Sequence, residues 1–193
     1  MFEAFRRITG LPAGLLRVIA VSDRINRSAG RAVAWLSLVM VLVTFIVVLL
    51  RYMFDLGSIA MQESVTYMHA ALFMIGASYT LQRDGHVRVD IFYQRMSRCG
   101  RAWVDLLGTL ILLVPVCLFV LLSSWQYVFD SWSLAEGSPE AGGIPAVWVL
   151  KTLILLLPSL LLIQGLALLL RNGLFLAGVD AALTSTDSET DRA

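Results

Sequence analysis

Nineteen consecutive residues without a charge, Ala32 to Leu50, constrain this chain more than any other stretch. Coiled as a helix at about 1.5 Å per residue, they span roughly the 30 Å of a bilayer's hydrocarbon core. The run reads as a transmembrane helix, closed by Arg51-Tyr52-Met53-Phe54-Asp55 and a turn at Gly57-Ser58. Three later runs have similar reach. Met61 to Leu81 carries Glu63 near its start and His69 inside, and Leu106 to Val128 is interrupted by Pro115. Val147 to Leu170 carries Lys151, Pro158 and Gln164. The expected fold is an all-α membrane protein with four transmembrane helices, at about 32–50, 61–81, 106–128 and 147–170. Composition agrees: 58% of the residues are hydrophobic and 15% charged, where soluble domains hold about 45–50% and about 25%. A length of 193 residues suits one such domain, 1–183, with a polar tail over 184–193 expected to be disordered.

Charge distribution sets the expected topology. Thirteen of the fifteen lysines and arginines fall before the first run, between the second and third, or after the fourth. Only Arg51 and Lys151 fall on the other side. The positive-inside rule then places both termini and the middle connection in the cytoplasm. Two stretches flanking the apolar runs read as amphipathic interfacial helices. The first, within 1–31, spaces Leu11, Leu15, Val18, Ile19 and Ile25 helically among charged residues, and Arg17 breaks the only candidate signal-peptide core. The second, Ile91 to Trp103, sets Arg95, Arg98 and Arg101 at i, i+3 and i+6, on one helical side suited to lipid head groups. A net charge of +1 gives no reason to expect a nucleic-acid partner.

The residues suited to chemistry are few. His69 and His86 lie 17 positions apart on one hairpin arm, so about 25 Å would separate them along a continuous helix, too far to grip one haem. His69 is an ionisable group within the membrane, which makes it a functional candidate; the plainer reading is a hydrogen bond to a neighbouring helix or subunit. Arg51, Glu63 and Lys151 sit near the same ends of their helices, and Glu63 is expected to pair with Arg51 or Lys151. Cys99 and Cys117 differ in setting and offer neither a metal site nor a disulfide framework. No nucleophile–base set or phosphate loop stands out, and no run carries the several polar groups of a solute pathway. The chain reads as a helper to a transporter or receptor, with neither enzyme activity nor a cofactor expected. A four-helix assembly or signalling protein is the alternative, and a membrane cytochrome subunit a weaker one.

Between the halves lies Gly85-His86-Val87-Arg88-Val89-Asp90. Together with Arg51-Tyr52-Met53-Phe54, Glu63, Gly76, Asp23-Arg24-Ile25-Asn26-Arg27, Ser131-Trp132, Glu136-Gly137-Ser138-Pro139, Gly143-Ile144-Pro145 and Lys151, it resembles the small membrane subunit of tripartite ATP-independent periplasmic (TRAP) transporters over nearly the whole chain. The chain departs from that pattern at Ala60 and Gln62, where the family has a tryptophan and often a second acidic residue. The resemblance implies a bacterial inner-membrane protein bound to a large membrane subunit. That large subunit carries the sodium and substrate sites, and a periplasmic binding protein delivers an organic acid. The small subunit is then expected to brace the scaffold. Within the signature, Arg88 and Asp90 are expected to tie helix two to the interfacial helix, with Gly85 permitting the turn and His86 stabilising it.

Overall fold

The computed structural model describes residues 13–85, 93 and 95–178. Among the described residues four long helices follow in order: α1 (Ala13–Phe54), α2 (Ile59–Gln82), α3 (Arg98–Ser133) and α4 (Val147–Leu176). No strand occurs among the described residues. α1, α3 and α4 are each long and apolar enough to cross a membrane. α2 has 24 residues, about 36 Å of helix, but Gln62, Glu63, Thr66 and His69 make it less apolar.

α4 is the hub. It packs against α1, α2 and α3, while α1 pairs along α2. Glycine sets two of these approaches. A Cβ on Gly30 would fall on the Tyr79 ring, so α1 and α2 touch closely there. A Cβ on Gly165 would sit 2.8 Å from Leu113 Cδ2, where α3 meets α4. Small residues at helix crossings in this way let backbones approach and gain dispersion contacts, the main packing force where lipid is as apolar as leucine. Gly76, on α2, has open space beside it instead.

Two expectations change, and a third gains its local cause. Residues 1–12 of the N-terminal amphipathic stretch lie outside the described residues, and from Ala13 on it is not a separate helix, because α1 continues without a break to Phe54. Its buried positions are Ile19, Ser22, Asp23, Asn26, Gly30 and Val33, while Val18, Val21 and Ile25 are exposed. No proline interrupts 13–54. The polar stripe also finds partners on α4, so the packed face is the polar one. Secondly, Arg95 does not share a helix with Arg98 and Arg101. Arg95 lies in a turn, and Ser97 caps the new helix by accepting from Gly100 N at 3.1 Å. That helix then runs on into the apolar segment, so from Arg98 the expected interfacial stretch is continuous with the apolar one. The interruption expected at Pro115 takes the form of a π-helical turn at Thr109–Leu113, closed by Val114 N–H donating to Thr109 O. A proline ring crowds the carbonyl four residues back and lacks an N–H, and widening the preceding turn relieves both.

Candidate functional site: polar locks at the two ends of the bundle

At the end where α1 and α3 finish, the loop 134–146 folds over the start of α2. α3 closes through Ala135, whose φ of 45° is left-handed, with Glu136 N–H donating to Ser131 O at 3.0 Å. The loop then turns back on itself, Ser138 N–H donating to Ile144 O at 3.1 Å. This brings two donors to one carboxylate: Glu63 accepts from Ser138 Oγ and from Ile144 N–H, the latter at 2.6 Å. Gly143 is needed beside them, since a Cβ there would fall on Ser138 and lie 2.8 Å from Glu63 Oε1.

Glu63 therefore does not pair with Arg51 or Lys151 as the sequence suggested. Lys151 is taken by Glu136, 15 residues back across the loop, and its ammonium sits 4.0 Å from the centre of the Tyr127 ring. Lys151 holds the Glu136 carboxyl below its ordinary range. Arg51 is exposed in the last turn of α1, with no partner among the described residues. Local loop donors satisfy Glu63 without requiring a long cation to reach across the bundle. Trp132 and Trp148 add a ring contact at 4.4 Å, and Trp132 Nε1–H donates to Thr152 Oγ1 at 2.9 Å. These bonds fasten the end of α3 to the start of α4.

At the opposite end lies a second, more deeply buried lock that sequence reasoning missed. Asn26 on α1 is fully buried and donates from Nδ2 to Gln164 Oε1 on α4 at 2.8 Å and to Ser22 O at 3.1 Å. One turn away, the buried Asp23 carboxylate pairs with Arg171 of α4, and Gln82 of α2 donates to Asp23 O at 3.1 Å. Three helices meet through this cluster. Its signal was available: Gln164 is a lone amide in an otherwise apolar stretch, and a buried amide needs a partner.

The remaining candidates are dispersed. His69 is exposed on α2 with no partner among the described residues. At the end of α2 the left-handed backbone falls on Asp84 (φ 56°) rather than on Gly85, which closes the turn by donating to Thr80 O at 2.9 Å. His86, Arg88 and Asp90 lie outside the described residues. Arg95 and Arg98 are exposed, whereas Arg101 turns back to donate to Met96 O at 3.1 Å and lies 5.7 Å from the Tyr93 ring. Among the described residues no group of three or more histidine, cysteine or acidic side chains could hold a metal.

The long apolar helices and the lipid-compatible outer surfaces of α1 and α3 define a multi-pass membrane protein. A family model described as tripartite ATP-independent periplasmic transporters, DctQ component, matches residues 40–173, and the chain belongs to this family. It is a family of transporter components, not of enzymes. The match takes in Glu63, the loop 134–146 and Gln164. No curated protein and no solved structure gave a match.

Proposed function

We propose that this chain is the small permease subunit of a sodium-coupled TRAP transporter for organic acids, and that it braces the large membrane subunit without carrying solute. The observation that carries this reading is where its polar groups go. Glu63, Asp23, Asn26, Gln164 and Lys151 are engaged in holding helices and loop together, and α4 presents no broken segment to a solute. A brace needs such rigid ends; a conduit needs several polar groups converging on one path at mid-depth.

In this reading all four helices span the inner membrane, with both termini and the signature Gly85–Asp90 in the cytoplasm and the loop 134–146 in the periplasm. α1, α2 and α4 pack against the large subunit. Arg95, Arg98 and Arg101 contact lipid head groups and resist tilting of the scaffold. Sodium and substrate bind the large subunit, fed by a periplasmic binding protein, and this chain holds no cofactor.

The test is uptake into liposomes containing the large subunit and supplied with the binding protein, with C4-dicarboxylates and 2-oxo acids as probes. Uptake should require an inward sodium gradient and this chain, but no ATP. Full uptake without the chain would contradict the bracing role. Arg95, Arg98 and Arg101 changed together to glutamine should lower uptake.

A further inference from the structure

Hydrogen-bonding groups that face outward from the middle of a membrane helix are costly unless a partner meets them. On the outer faces of α1 and α3 such groups are satisfied internally. Ser37, Thr44 and Ser123 are exposed, yet each hydroxyl donates to a carbonyl of its own helix. The outer face of α2 differs. Ile59, Gln62, Thr66, His69 and Phe73 are its exposed residues in the first four turns, spaced i, i+3, i+7, i+10 and i+14 on one side of the helix. Neither Thr66 nor His69 has a hydrogen-bond partner among the described residues. His69 lies about 15 Å from the start of α2, so it cannot reach head groups as a terminal side chain does. One turn beyond Phe73, Gly76 leaves open space where a side chain would stand.

We infer that this face of α2 is the docking surface for one transmembrane helix of the large subunit, which carries a hydrogen-bonding side chain at the depth of His69. The inference rests on the subunit reading above, which supplies the partner. Polar complementarity selects a protein helix over lipid: a hydrocarbon neighbour would leave the imidazole and the Thr66 hydroxyl unmet. Phe73 is the knob of the contact and Gly76 the notch that admits the opposing helix. A lipid-facing role fits the sides of α1 and α3 that carry Phe45 and Phe119, where the exposed hydroxyls of Thr44 and Ser123 are satisfied within their own helices.

The test uses the chain co-expressed with its large subunit in intact cells, with benzoylphenylalanine placed at Thr66, His69 or Phe73, and at Phe45 or Phe119 for comparison. Irradiation should give an adduct containing the large subunit from the three α2 positions and not from the other two. His69→Leu should lower the recovered complex about three- to tenfold, as loss of one interhelical hydrogen bond does in a membrane, while His69→Gln retains it. Four results overturn the inference: large-subunit adducts from Phe45 or Phe119 instead; adducts between two copies of this chain from α2; no adduct from α2 although the two proteins co-purify; or full recovery with His69→Leu. Failure of the unsubstituted chain to co-purify with the large subunit would instead sink the subunit reading itself.

Discussion

Glu63 looked from the sequence like one member of a charge pair, yet its two partners are a serine hydroxyl and a backbone amide 75 and 81 residues further on. Nothing in the spacing of charges announces them, because they are delivered by the path of a loop. That path depends on two backbone positions. Ala135 carries a left-handed φ that glycine adopts without steric cost. Ala135→Gly should therefore raise stability in detergent by about 0.5–1 kcal/mol, read as a higher unfolding temperature. Gly143→Ala should do the reverse, by about 1–3 kcal/mol, because its methyl group meets Ser138 and Glu63. The neighbouring pair gives a pH dependence. Lys151 lowers the folded pKa of Glu136 beneath its unfolded value. Its contribution is thus complete above the unfolded carboxylate range and lost as pH falls through the lowered folded value. The acid arm of the unfolding profile should shrink in Glu136→Gln, and an unchanged profile would show that this contact does not matter.

At the level of helices, the hydropathy pattern located the four long helices among the described residues but misjudged where two of them start. α2 extends two residues earlier and one later than its apolar run, and α4 begins at Val147 as expected. Those limits were legible because Ser58 caps α2 and a polar loop precedes α4. α1 and α3 absorb the stretches that looked like separate interfacial helices. Amphipathicity says that one face is polar but not whether that face meets water or another helix. Around Asp23 and Asn26 it meets α4. The same ambiguity hid the second lock, although Gln164 marked it. A double-mutant cycle between Asn26→Ala and Gln164→Ala should give a coupling of about 0.5–2 kcal/mol, the range for contacting polar groups in a membrane bundle. Additive effects would mean that the two amides act independently.

Across the whole molecule, α4 sits at the centre, and locks at both ends limit how far α1, α2 and α3 can move about it. Such a body is suited to standing still while a larger partner moves, which is the role proposed for it. The family was legible from the order of short motifs, and the match over 40–173 agrees. What the motifs did not reveal is which residues face the partner, because that depends on which sides of α2 the chain itself leaves uncovered. The central claim is that this chain exists to hold a large membrane subunit. The most direct measurement is to purify the tagged chain from cells co-expressing the large TRAP subunit and to weigh the product by native mass spectrometry. A stoichiometric complex that survives mild detergent is expected, with the large subunit depleted from membranes when this chain is omitted. Recovery of the chain alone, beside a large subunit equally abundant and active without it, would contradict the account.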